Sequence, residues 1–507
     1  MPVAVRLDAY LGDRHTAAVR RRLFPPWIAL LLAAAQVLGA QASADPEDGP
    51  YVLRSVDFEV TGRSLPSVLR RKIDPYGRLI GASFQGRARL EAFLEEARQT
   101  LRNERAIASV AADYEAVPSA SGGYEVALHF RVTDTWNLVA LPYPKYNSNT
   151  GLDLGIRLRD YNFAGSLQPL LVNLDYFLNT AGIGALGGFV SFQAPFHLGG
   201  LAWSLGINEE AKISADGSTA PASVTSAALG LEIPGLGFPA TLTVTQGFSL
   251  NANGLDSSLS ADPDPWFLSE TLAASATIPL GPIQYVPGLS ASWNWRPDAV
   301  LQYRGREGIT VAFSNAFSTG RVDWKDDLRE GVCASWNVSF SYGVTSADFL
   351  TDISFTVAAH ATPAPGLGLA GRIVGFDRLL HGSEDDELTS LGSYMRGIAD
   401  ARLAGFQAVF CNLGLPVKLF DFPAHALIGR DFLDFGLQAQ PFLDVGLLAP
   451  AGSRTDWFWC SGGLEILVFP GAFRSFVGRA SAGLDLESAF SGGNPAFELS
   501  LGLGLLY

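Results

Sequence analysis

The sequence predicts a mainly β protein, a small α/β unit followed by a transmembrane antiparallel β-barrel. Three observations predict it. Hydrophobic residues make up 48% of the 507 and charged ones only 17%, with 54 glycines, yet no apolar run of about 18 residues follows residue 44, which excludes helical membrane spans. From Trp136 to Tyr507, apolar residues alternate with polar or tiny ones in short segments divided by Gly, Pro, Asn and Asp. The N-terminus has the layout of an export signal.

That signal occupies residues 1–44. Arg20, Arg21 and Arg22 precede an apolar stretch from Trp27 to Ala40, and Ala42-Ser43-Ala44 forms a small-residue cleavage site. The basic region before it is long, so Met1 need not be the true start. No Cys follows the apolar stretch, which speaks against a lipid anchor. Cys333, Cys411 and Cys460 lack the spacing of a zinc site or a disulfide framework and read as small hydrophobes.

Residues 50–134 read as the α/β unit. Val56, Phe58 and Val60 alternate with polar residues up to Gly62, as in a half-buried strand. Leu65, Val68 and Leu69 lie at helical spacing. Leu90, Phe93, Leu94, Ala97 and Leu101 mark a second helix with Glu91, Glu95, Arg98 and Arg102 on its wet face. Val110, Ala112 and Tyr114, then Tyr124 to Val132, alternate again. The order β-α-α-β-β gives a three-stranded sheet backed by two helices.

Residues 136–507 read as the barrel, with some sixteen to eighteen strands. Leu152, Leu154, Ile156 and Leu158 share one face, as do Trp336, Val338, Phe340 and Tyr342, and as do Phe497, Leu499 and Leu501. Alternation alone does not say which face is inside. An exported, Gly-rich chain suits an apolar exterior toward lipid and a polar lumen, and closure removes the strand edges that lipid would not tolerate.

Four segments, with the α/β unit before them, resemble the BamA/TamA superfamily, in which POTRA domains precede an outer-membrane barrel. "GLDLGIRLRDYNFAGSL" is similar to its Asn-Phe-x-Gly turn, here Asn162, Phe163 and Gly165. "RVDWKDDLREG" is similar to its Asp-x-Arg-Asp turn, with Asp323, Lys325 in place of Arg, Asp326 and Gly331. "SYMRGIADARLAG" resembles the sixth extracellular loop with its Arg-Gly pair, Arg396 and Gly397. "PFLDVGLL" resembles the Phe-x-Asp-x-Gly strand, giving Phe442, Asp444 and Gly446. The resemblance implies sixteen strands and one POTRA-like domain. It also implies that Arg396 pins a loop, about Leu379 to Ala401, inside the barrel. Asp444 alternates with Leu443 and Val445, faces inward, and is the expected partner. Gly414 stands where the family often has Glu, so a simpler contact is expected. Ser500, Gly502, Leu505 and Tyr507 fit the C-terminal signal that barrel precursors show their insertase.

Function follows as an expectation in two classes. The first is an outer-membrane assembly or translocation factor that takes unfolded outer-membrane or secreted clients. It would act by strand augmentation on the POTRA-like domain and by lateral opening between the first and last strands. Outer-membrane lipids surround it, and periplasmic partners meet the N-terminal domain. The second is a porin or structural surface antigen. The client stays open: barrel precursors, one secreted protein, or lipid. Catalytic motifs are absent from the sequence, with no G-x-S-x-G, H-E-x-x-H or phosphate loop, so no enzyme, cofactor or metal site is expected. A net charge of −14 without a basic stripe argues against nucleic acid. The acidic groups Asp262 with Asp264, and Glu384 to Glu387, read as solvated extracellular loops.

Overall fold

A computed structural model describes residues 49–119, 122–147, 151–178, 184–214, 220–255, 262–297, 299–302, 306, 308–379, 389–390, 394–397, 404–425, 434–450, 458–471, 477–495 and 497–503. The export signal, Glu384 to Glu387, Leu505 and Tyr507 lie outside these residues.

The N-terminal unit runs from β1 (Pro50–Thr61) through α1 (Pro66–Ile73), β2 (Ser83–Gln85), α2 (Arg87–Arg102), β3 (Ile107–Pro118) and β4 (Tyr124–Asp134). Pro66 opens α1, where its missing N–H costs nothing, and Arg70, Arg71 and Lys72 sit in the last turn against the negative helix end. The sheet has four strands in the order β2-β1-β4-β3, with β1 parallel to β4. The expected sheet had three. The added β2 spans three residues, too few for alternation to register. Leu53, Leu69, Leu90, Leu101, Leu128 and Phe130 are fully buried in the core between sheet and helices. Each burial of that kind contributes about 1.5–3 kcal/mol.

The rest of the chain closes on itself. Strand β5 (Leu138–Asn147) begins an antiparallel ring that ends with Phe497–Leu503 paired back onto β5. Among the described residues the ring has twenty-one segments. Ile278–Leu280 continues Trp266–Ala276, Val417–Phe422 continues Ala404–Gly414, and the two-residue Thr389–Ser390 only extends an edge, which leaves eighteen staves. That is one hairpin more than the sixteen that the resemblance implies. The segment bearing Arg396 follows the thirteenth stave, so it belongs to the seventh loop at the far end of the ring, not the sixth. The added hairpin therefore lies upstream of it. Motif spacing fixes the order of strands but not how many intervene.

Alternation sorts the two faces. Leu154, Leu174, Leu289, Val332 and Leu499 point outward and are each about half exposed, as are many other large apolar side chains around the ring. On the inner face of Phe435–Pro450 stand Gln438, Gln440, Phe442, Asp444 and Gly446, all buried, while Leu437, Leu443 and Leu447 face out. An apolar exterior of this extent is costly in water and suits a hydrocarbon surround. Leu289→Arg, in the middle of a stave, should destabilise the barrel in lipid vesicles by about 2–4 kcal/mol, measured by reversible guanidinium unfolding. The inward Ser335→Arg should cost far less.

Candidate functional site

The loop segment Tyr394–Gly397 lies against the inner wall, and Arg396 is 4% exposed there. Its guanidinium donates to both carboxylate oxygens of Asp444, from Nη2 to Oδ1 at 2.6 Å and from Nε to Oδ2 at 3.0 Å. Its backbone N–H donates to Asp444 Oδ2 at 2.9 Å, so the carboxylate fixes both ends of one residue. Nη1 donates to Glu465 Oε2 at 2.8 Å, and Nη2 to the Leu413 carbonyl at 3.1 Å. Glu465 also accepts from Gln440 at 3.2 Å and pairs with Arg479 at 3.3 Å. Buried Arg396 and partly buried Arg479 thus meet two buried anions on neighbouring staves. Balance of this kind is what makes burial of such charges tolerable.

Each residue of the Phe-x-Asp-x-Gly strand has its own contact. The guanidinium carbon of Arg396 lies 4.0 Å from the centre of the Phe442 ring, a cation–π contact beside the ion pair. Asp444 binds. A Cβ at Gly446 would lie 2.7 Å from Met395 Sδ and 2.9 Å from Phe410, so Gly446 keeps the space that Met395 fills. Met395, 1% exposed, packs with Phe376, Phe410, Leu448 and Trp459, and the Tyr394 ring stacks on Phe410 at 4.9 Å. Gly397 has φ +77°, and the wall backbone at Gly483 and Leu484 passes within 2.9 Å of where its Cβ would be. Only glycine fits there.

The contact is not the simpler one expected from Gly414. A Cβ there would lie 2.8 Å from Gln440 Nε2, and the second carboxylate comes from Glu465 on the next stave instead. Sequence reasoning missed Glu465 and Arg479. A signal existed, since Glu465 is a lone charge between Leu464 and Ile466, in phase with inward Ser461.

The two turn motifs lie elsewhere. Asn162 and Gly165 form the first near-end turn and meet the N-terminal unit: Asn162 Nδ2 donates to Ser64 Oγ at 2.8 Å. Asp326 and Asp327, at φ +47° and +63°, make the two-residue hairpin between Lys325 and Leu328, and Asp323 meets Asn103 of the N-terminal unit at 2.8 Å. Gly331, at φ +124°, would bring a Cβ within 2.2 Å of the Arg321 carbonyl. Ser500 is buried and faces inward opposite Ser481, and Gly502 pairs with Arg479.

Asp262 and Asp264 are not solvated. Both are buried around Arg306, which bonds Asp262 at 2.7 Å and Asp264 at 3.0 Å and stands 4.4 Å from the Phe267 ring centre. Burial pushes the Asp262 carboxyl up, but the Arg306 guanidinium and the N–H groups of Asp264 and Asn253 outweigh it and hold it below the ordinary value.

Among the described residues the closure of the ring is its thinnest part: Glu498, Leu499 and Ser500 pair with Asn147, Tyr146 and Lys145, against seven pairs between the last two staves. Pairing stops one residue short of Pro144, and Pro142 follows on the same parity; neither has an N–H to give. That Pro-Tyr-Pro sequence was legible and was passed over.

Comparisons with solved structures return several matches at low identity. CdiB from Acinetobacter baumannii matches with 12% identity over 89% of this chain and 73% of that one, at a TM-score of 0.47. CdiB from Escherichia coli matches with 12% identity over 97% and 99%, at 0.41. BamA from Haemophilus ducreyi lacking POTRA domains 1–3 matches with 12% identity over 90% and 84%, at 0.38. Likeness at this identity concerns the fold alone. No family profile and no curated protein matches the chain.

Two outcomes are expected. Asp444→Ala, which strands a buried guanidinium, should cost about 3–5 kcal/mol and expose the loop to trypsin, with Glu465→Gln less severe. Because the folded Asp262 carboxyl is depressed, its stabilisation is present above the unfolded value of about 3.9 and is lost as pH falls through the folded one. Arg306→Met should raise the pH at which hydrogen exchange at Asn253 and Asp264 accelerates.

Proposed function

We propose that the chain is an outer-membrane barrel that inserts or translocates unfolded proteins, of the BamA/TamA type, with its N-terminal unit acting as a POTRA-like domain in the periplasm. The observation that carries this reading is the three-residue closure beside Pro142 and Pro144. Barrels close because unpaired backbone groups are costly in lipid. A ring that among the described residues is short of pairs at one seam, with two prolines beside it, is suited to part sideways and offer an edge to a client strand. Strand β3, twelve residues long and at the free edge of the N-terminal sheet, offers a second edge for augmentation. The buried Arg396 pin fits a lumen that is partly filled while the seam moves.

One observation favours a passive pore. At mid-height of the staves from Ala222 to Gly343 the inner face carries a small, uncharged cross-strand row, Ala228, Thr245, Thr271, Ser292 and Thr310. A pore reading expects steady conductance in planar bilayers before any change to the Arg396 loop; the machine reading expects it only after that loop is removed.

The decisive test locks the seam. Tyr146→Cys with Leu499→Cys, on a background without the three native cysteines, places thiols on register partners. Oxidation should cut client insertion in proteoliposomes about tenfold or more, and reductant should restore it. Full activity of the locked protein would discard lateral opening. Depletion in cells followed by quantitative proteomics should lower outer-membrane protein levels broadly if barrel precursors are the clients.

A further inference from the structure

The connection from the seventeenth stave to the last leaves the wall on its outer side. The stave Gly478–Asp485 stops level with Ser461, while its neighbour Phe458–Pro470 runs on past that level to Phe458. The chain turns there into a short helix, Leu486–Phe490, which Asp485 caps: its carboxylate accepts from Ser488 N at 3.2 Å and from Ser488 Oγ at 2.6 Å. Gly462 decides where the helix lies. It is in phase with outward Leu464 and pairs with outward Leu443 and Leu484 on the staves to either side. A Cβ on Gly462 would meet Leu486 Cδ1 at 2.9 Å, so the missing side chain makes the seat that Leu486 fills on the outside of the barrel.

Leu486 and Phe490 are four residues apart and so share one face of the helix. Leu486 is seated on the wall. Phe490 is 85% exposed, more than any other large apolar side chain among the described residues, and Ala489 beside it is exposed as well. Leu486, Ala489 and Phe490 fall within about 100° of the helix circumference, and Glu487, Ser488 and Ser491 take the rest. The surroundings place this small amphipathic element at the edge of the hydrocarbon. Leu484 pairs with Phe497, whose ring lies 5.7 Å from that of Tyr146 across the seam, and Phe458 is exposed at the far end of its stave. Rings gathered at one height on a barrel mark the boundary between lipid tails and water.

We infer that the helix Leu486–Phe490 is an interfacial anchor, laid on the outside of the barrel with Phe490 inserted among the acyl chains of the leaflet at the far end of the ring. It holds the connection into the last stave at the hydrocarbon edge. The occupant of this apolar face is lipid, because the face continues a wall of Leu443, Leu464 and Leu484 that already points into hydrocarbon. A protein partner fits poorly. Five residues fall far short of the roughly 800 Å² per side that a stable protein contact buries, whereas one ring entering an acyl layer needs no matching shape.

Nitroxide accessibility in the full chain, in vesicles of phosphatidylethanolamine and phosphatidylglycerol, tests this without reference to any client. With the three native cysteines replaced by alanine, a label at Ala489→Cys keeps Phe490 in place. It should be open to oxygen and closed to a water-soluble nickel chelate, at a depth of about 5–10 Å into the boundary of headgroups and acyl chains. A label at Glu487→Cys should be open to nickel. Adding Phe490→Ser to Ala489→Cys should bring the 489 label within reach of nickel. A 489 label open to nickel while Phe490 is present would put the helix in water and overturn the inference. Closure to both reagents would mean that protein covers the face, a second copy or a neighbouring loop, and overturns it too. A 487 label as closed to nickel as the 489 label would leave the helix without a wet face and end the interfacial reading. A 489 label that stays in lipid after Phe490→Ser would show that the wall alone sets the depth and that Phe490 is no anchor.

Discussion

Backbone hydrogen bonding is the constraint on which the rest of this structure depends. A wall whose outer face is leucine, valine and aromatic rings has no water to turn to, so every N–H and C=O must find its partner within the ring. Closure answers that demand, and alternation then divides the side chains into an apolar outside and a polar inside. What stands out against this background is the place where the demand is relaxed. The first stave carries Pro142 and Pro144, and among the described residues its pairing with the last stave ends at Lys145. The inward loop is held by the opposite logic. Arg396 is bound so completely, through backbone and side chain at once, that it behaves as part of the wall.

How the charges are distributed supports the same division. Two cations and two anions lie in contact behind the staves from Phe435 to Asp485, and Phe442 shields one side of them. The staves from Ala222 to Gly343 carry hydroxyls and small side chains on the matching face instead. The lumen is thus ionic around the pin and lined at mid-height by small neutral side chains on the staves from Ala222 to Gly343.

Much of this was legible before any coordinates. Period-2 alternation separated outward Leu154, Phe340 and Leu499 from their inward neighbours, and the same parity turned Asp444 toward Arg396. What escaped had physical reasons. Strand β2 is three residues long, below the length at which a period can be read. The stave count depends on breaks: Thr277 and the Leu415-Pro416 step interrupt staves that continue beyond them, so segments and staves differ in number. Glu465 was overlooked because its neighbours make an apolar run. Asp262 and Asp264 looked like solvated loop acids, because their partner Arg306 lies more than forty residues away in sequence and only folding brings it near.

The pin ties one loop to four staves at once. The seat of Arg396 and Gly397 is built from four consecutive staves: Leu413 on one, Asp444 on the next, Glu465 on the third, and Gly483 on the fourth, whose Cα would sit 3.1 Å from any Cβ at Gly397. None of the four alone holds the loop, so its seat is complete only when all four staves stand side by side. The pin therefore ties the intactness of the C-terminal wall to the position of a single loop.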